Sequence, residues 1–113
     1  MDLKKETIEK ILQFRDERNW KQYHSPKDLA ISINLEASEL LEIFQWSGKD
    51  TQCHTKKDKI CEELADVFIY CVLMADTCGL EIDEIINKKL LCNAKKYPVQ
   101  KAYGSSAKNH DLN

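Results

Sequence analysis

Four stretches of the chain carry apolar residues three and four positions apart, the period of amphipathic helices. The first is expected from about Lys4 to Asn19. Leu3, Ile8, Ile11, Leu12 and Phe14, joined by Arg15, form its pattern. Trp20 to Pro26 reads as a connection. Ser25 before Pro26, with Asp28 in the first turn, is a helix-start signal: a hydroxyl cap, then a proline that needs no amide donor. The second helix is expected to run from there to about Trp46, with no Gly or Pro between Leu29 and Ser47. Ser47-Gly48-Lys49-Asp50 breaks it. Thr51 to Lys57 is polar, a loop or the frayed start of a third helix. That helix is expected from about Lys57 to Cys78, stopped by Gly79. A fourth is expected from about Ile82 to Lys96, with Ile82, Ile85, Ile86 and Leu90 on its apolar side, ahead of Tyr97-Pro98. Residues 99–113 are polar and aperiodic, and read as a mobile tail beyond a domain of residues 1–98. The fold class is all-α, a four-helix bundle.

The third helix changes the picture. Ile60, Leu64, Val67, Cys71, Met74 and Cys78 form its main stripe, widened by Phe68 and Ala75. Ile69, Val72 and Leu73 fall outside that stripe, so its second half is apolar nearly all round. A small monomer cannot bury such a helix on every side. Self-association, as a dimer or a dimer of dimers, is the expectation.

The second helix carries the chemistry. On a helical wheel Leu29, Ile33, Leu40 and Phe44 share one stripe, and Glu36 lies in its middle with Glu39 one turn on. A carboxylate within a core stripe is costly unless its charge is compensated. Glu63 and Asp66 repeat the same spacing on the third helix, with Tyr70 in the same sector. Two helices each offering two carboxylates to one interior make a site for a hard divalent cation, Mg²⁺ or Mn²⁺, with affinity for phosphate oxygens. The competing reading is solvated surface acids. Zinc is disfavoured, because His24, His54 and His110 do not pair at helical spacing and no Cys lies within the acidic motifs.

Aromatic and basic groups extend the site. Trp20 and Trp46, the only two tryptophans, sit at or near helix ends, where they either anchor a core or stack on a nucleobase. On the fourth helix Lys89, Asn93 and Lys96 form one polar face, followed by Tyr97. That face is either simply solvated or suited to phosphate oxygens.

Composition bounds the rest. The chain has 113 residues, 42% hydrophobic and 32% charged, which fits one folded domain. A net charge of −2 gives no basic footprint, so DNA and RNA are not expected partners. The charged start Met1-Asp-Leu-Lys-Lys-Glu lacks the apolar core of a secretory signal. The longest apolar run, Val67 to Ala75, is too short to span a membrane, so no membrane partner is expected. Five cysteines without a CxxC pair fit reduced thiols in the cytoplasm, acting as small buried hydrophobes.

Glu36-Ala-Ser-Glu39, Phe44-Gln-Trp46, Glu62-Glu-Leu-Ala-Asp66-Val-Phe-Ile-Tyr70 and Asn93-Ala-Lys-Lys-Tyr97-Pro98 together resemble the MazG-type nucleoside triphosphate pyrophosphohydrolases, over roughly residues 4 to 100. Within these the chain is most similar to the small dCTP pyrophosphatase branch. The resemblance implies an all-α fold assembled as a dimer or tetramer. It implies Mg²⁺-dependent cleavage between the α- and β-phosphates of a nucleoside triphosphate, giving the monophosphate and pyrophosphate. Carried over by position, Glu36, Glu39, Glu63 and Asp66 hold the metal, and one of them, or a neighbour such as Glu42 or Glu62, orients water. Trp20, His24, Trp46 and Tyr70 match positions near base or sugar, and Lys89, Asn93 and Tyr97 positions near the phosphates, contributed in one arrangement by a neighbouring subunit. One departure is Ile11, apolar where the vertebrate dCTP enzyme has a base-holding His, which leaves the preferred base open. The alternative function is a nucleotide-binding regulator or scaffold of the same fold without turnover.

Overall fold

The computed structural model describes residues 4–108, and all regular structure among them is helical. Leu3, His110 and the last residues of the expected tail lie outside the described residues. The chain divides into two units, the first ending at Gly79 and the second beginning at Leu80.

The first unit contains α1 (Lys5–Glu17), α2 (Pro26–Glu42) and α3 (Lys57–Thr77). α2 begins as its sequence dictates. Ser25 is extended, its hydroxyl accepts from the Asp28 amide at 3.0 Å, and Pro26 opens the first turn. It ends four residues before the expected Trp46. From Ile43 the backbone switches to three-residue bonds: the amides of Phe44 and Gln45 donate to Leu41 and Glu42. The Ile43 carbonyl then accepts from the Lys56 ammonium at 3.5 Å and the Cys53 thiol at 3.8 Å. Trp46 follows at a φ of 68°, incompatible with helix. These later groups take up the carbonyl freed where α2 ends, and local periodicity does not register them. The 51–57 segment becomes a single 3₁₀ turn, His54–Lys56, after Asp50 takes the amides of Gln52 and Cys53.

The core forms where α1 and α2 meet α3. Leu29 is 1% exposed, and Ile43, Val72, Leu73 and Ala75 are buried with it. On α2 the expected stripe holds: Ile33, Glu36 and Leu40 are half-buried, as is Phe44 in the turn that follows. On α3 the stripe is rotated. Val72 and Leu73, placed outside it by periodicity, are buried, whereas Leu64 and Phe68 are exposed and Cys78 lies on the surface. A helix apolar on most sides has no unique period, so tertiary contacts chose the face. Gly79, at a φ of 66°, ends α3 as expected.

Cysteine burial also differs from expectation. Cys53 is buried, but Cys61, Cys78 and Cys92 are exposed; all five are free thiols. They lie on turns and helix faces that no core covers.

The second unit holds α4 (Ile82–Lys96) and a one-turn helix α5 (Val99–Ala102), the latter within the stretch read as aperiodic tail. Ile85, Ile86, Leu90 and Leu91 of α4 are exposed, although the first three mark its apolar side. No helix among the described residues is long and apolar enough to cross a membrane.

Leu29 fills the meeting point of the core. Leu29→Ala should therefore cost about 2–5 kcal/mol of unfolding free energy, read from urea denaturation. A loss below about 1 kcal/mol would contradict this placement.

Candidate functional site

Glu36 and Glu39 stand one turn apart on α2, and Glu63 faces them from α3. One carboxylate oxygen from each lies within 4.8 Å of the other two. Glu63 is 6% exposed, Glu36 is half-buried and Glu39 is exposed. Ionised carboxylates this close repel strongly, and the cluster relieves the strain in two ways. Lys59, one turn before Glu63, places its ammonium 2.9 Å from Glu63 Oε1 and holds that carboxyl below its ordinary pKa. The pKa of Glu39 is pushed up to about 7 by hydrogen bonding to the Glu63 and Glu36 carboxyls and by their charges.

The relief is incomplete. The second oxygens of Glu36 and Glu63 are buried and have no hydrogen-bond partner. Buried acceptors without donors are costly, and an all-oxygen donor set of this charge matches a hard divalent cation. The residues present therefore fit such an ion.

The fourth predicted carboxylate, Asp66, is not one of the three converging groups. It lines an adjoining cleft of about 460 Å³ with Glu36, Tyr70, Trp20 and His24. The remaining walls include Ile11, Phe14 and Arg15 of α1. The end of α1 builds this cleft. Arg15 is 4% exposed, and its guanidinium donates to Asp16 at 2.8 Å and to Asp76 of α3 at 2.7 Å. Its carbonyl accepts the Trp20 amide at 3.1 Å after Asn19 turns the chain at a φ of 54°. Trp20 then packs edge-on to Phe14, ring centres 5.8 Å apart, and Arg18 covers the Phe14 ring.

The cleft favours neutral hydrogen-bonding groups. Burial, and then the charge of Arg15, lowers the His24 pKa and keeps the imidazole neutral. Its buried Nδ1 has no partner. Burial, then Glu36 and Asp66, raises the Tyr70 pKa, so the phenol keeps its proton. An aromatic wall, a neutral imidazole, a phenol and two carboxylates suit a flat polar ring beside the acidic cluster.

Other predicted residues stand apart. Trp46 is 91% exposed on the turn after α2 and lines no part of this cleft. Lys89, Asn93 and Tyr97 belong to the second unit, Lys89 exposed and the other two half-buried. Sequence reasoning missed Lys59 as the partner of Glu63, although their four-residue spacing carried the signal. It also missed the Arg15–Asp76 pair, which joins residues 61 apart and leaves no local trace.

A model of the MazG-like family matches residues 31–112. Among curated proteins the chain is 37% identical over 106 residues to the dCTP pyrophosphatase 1 of Mus musculus and 33% identical over 105 to that of Homo sapiens. Each match covers 88% of this chain and 62% of the relative, so the chain spans under two thirds of their length. Among solved structures, a pyrophosphatase from Archaeoglobus fulgidus DSM 4304 aligns with a TM-score of 0.77 and 40% identity, covering 82% of this chain and 90% of that one.

The raised pKa of Glu39 makes stability pH-dependent. A carboxyl with a folded-state pKa above its ordinary 4.5 stabilises the fold while protonated; that contribution is complete below about 4.5 and lost as pH rises through about 7. In chelator, the stability of the protein should fall relative to Glu39→Gln across this window. Added Mg²⁺ or Mn²⁺ should restore it, increasingly so above about pH 7, because cation and proton compete for the same oxygens. Thermal melts of both proteins at several pH values test this. Parallel curves for the two would show that Glu39 carries no such proton.

Proposed function

The chain belongs to the MazG-like family, and on that premise we propose that it is a Mg²⁺-dependent nucleoside triphosphate pyrophosphohydrolase acting on dCTP or a modified dCTP. The observation that carries this reading is the convergence of Glu36, Glu39 and Glu63 beside an aromatic-walled cleft of about 460 Å³. The names of the dCTP pyrophosphatase relatives support the substrate class.

In this reading Glu36, Glu39 and Glu63, with Asp66 at the edge of the cleft, hold the divalent ion. When bound, the ion neutralises phosphate charge and makes water more acidic. Trp20 stacks on the base, and His24 and Tyr70 offer polar contacts to base or sugar. One carboxylate of the cluster, or a neighbour such as Glu42 or Glu62, orients the attacking water on the side opposite the leaving pyrophosphate and accepts its proton. A bond forms from the water oxygen to the α-phosphorus, and the bond to the bridging oxygen breaks. The electron pair leaves with pyrophosphate. Lys89, Asn93 and Tyr97 are assigned to the phosphates, as point charge, amide and phenol donors.

Self-association belongs to the same reading. Leu64 and Phe68 of α3 and Ile31 and Leu35 of α2 leave large apolar surface in water. A dimer or dimer of dimers would cover it, and would bring the exposed Trp46 and the α4 groups to a neighbouring copy's nucleotide. The free thiols suit a reducing compartment, here taken as the cytoplasm.

Pyrophosphate release from dCTP, 5-methyl-dCTP, the other deoxynucleotides and the ribonucleotides, with Mg²⁺ and with chelator, tests the proposal. Mg²⁺-dependent release concentrated on cytosine nucleotides is expected. Nucleotide binding without release would instead mark a regulator. Glu63→Ala and Asp66→Ala should each lower turnover by at least about a hundredfold while leaving the helical circular dichroism intact.

Trp20→Ala should weaken nucleotide binding by about 1–3 kcal/mol, the worth of one base-aromatic stack. The effect should be equal for mono- and triphosphate, because the ring touches the base alone. Titrations with dCMP and a non-hydrolysable dCTP analogue measure it. A loss confined to the triphosphate would move Trp20 away from the base.

A further inference from the structure

The acidic cluster has a second side. Away from the aromatic cleft, Glu39 and Glu63 form the wall of another cleft, of about 520 Å³, completed by Glu42, Ile43, Lys56 and Lys59. The two clefts share no lining residue, and the three converging carboxylates stand between them: Glu36 faces one, Glu39 and Glu63 the other.

Two lysines one helical turn apart enter this second cleft. Lys56 is held at the end of α2 by the Ile43 carbonyl at 3.5 Å. Lys59 lies 2.9 Å from Glu63 and 3.8 Å from Glu62, and its side chain is 59% exposed. Only one oxygen of Glu63 is engaged by that ammonium; the other is buried without a partner. A cation bound at the cluster would therefore compete with Lys59 for Glu63 and release its ammonium towards the cleft. Charge makes the event conditional. The cleft's three carboxylates outnumber its two ammonium groups until a divalent cation reverses the balance.

We propose that Lys56 and Lys59 form the subsite for the terminal phosphates, so that a nucleoside triphosphate lies across the acidic cluster with its base in the aromatic cleft and its pyrophosphate end in the lysine cleft. The inference rests on the functional reading above and adds to it a direction for the substrate and a phosphate contact from the same unit as the cluster. Lysine suits the role: a compact charge on a flexible stem follows a phosphate that departs as product. Glu42, on the same wall, discourages any anion from binding before the cation does.

The test is equilibrium binding of two separate probes, inorganic pyrophosphate and dCMP, by calorimetry in saturating Mg²⁺, to the wild-type protein, Lys56→Met, Lys59→Met and Lys59→Arg. Both methionine variants should bind pyrophosphate at least about tenfold more weakly, the loss of one charge-assisted contact, with dCMP affinity unchanged. Lys59→Arg should keep most of the pyrophosphate affinity. Mn²⁺ added alone should bind Lys59→Met more tightly than wild type, because Glu63 has lost its competing cation. A merely structural lysine would not produce these opposite shifts. Unchanged pyrophosphate affinity in both methionine variants overturns the proposal. So does a parallel loss of pyrophosphate and dCMP, or a wild-type protein that binds no pyrophosphate. The functional reading fails by a different result, absence of pyrophosphate release from every triphosphate by the wild-type protein.

Discussion

Everything at this site depends on bringing like charges together where two helices pack. Three carboxylates within 4.8 Å of one another oppose the contact between α2 and α3. The apolar seam of Leu29, Val72, Leu73 and Ala75 favours it. The seam prevails because each fully buried Val or Leu side chain contributes about 1.5–3 kcal/mol, while the raised pKa of Glu39 and the pairing of Glu63 with Lys59 lower the repulsion. The cluster is thus a compromise whose charge a divalent cation would balance. Stability has been spent on a site whose charge suits a ligand better than it suits the fold.

The surroundings of the cluster are organised by pieces that do not touch it. Arg15 ties the last turn of α1 to Asp76 near the end of α3, and Asn19 turns the backbone so that Trp20 faces its cleft. On the opposite side, the end of α2 is fixed by groups from the following turn, and the same turn delivers Lys56. The cluster therefore separates an aromatic, largely neutral compartment from a charged one. That asymmetry matches a nucleotide, which has one stacking end and one polyanionic end.

Large apolar side chains remain in water on α2, α3 and α4. Contiguous exposed apolar surface of this kind marks an interaction face more often than incidental exposure. In the functional reading proposed above, self-association covers these side chains.

The sequence by itself determined the four long helices, the cap at Ser25, the stop at Gly79 and the acidic pairs on α2 and α3. These follow from local rules: a period of 3.6 residues, one hydroxyl at a helix start, one glycine at a helix end, and carboxylates one turn apart. Glu36 was legible because a charge in an apolar stripe violates its own pattern. Tertiary structure alone decided which face of α3 is buried, since a helix apolar on most sides is degenerate in sequence. It ended α2 at Glu42 and gave the Ile43 carbonyl to Cys53 and Lys56, ten and thirteen residues further on. It gathered Glu36, Glu39 and Glu63 while setting Asp66 in the neighbouring cleft, because equal spacing along two helices does not fix their rotation against each other. And it joined Arg15 to Asp76, an ion pair between distant positions that no local period can announce.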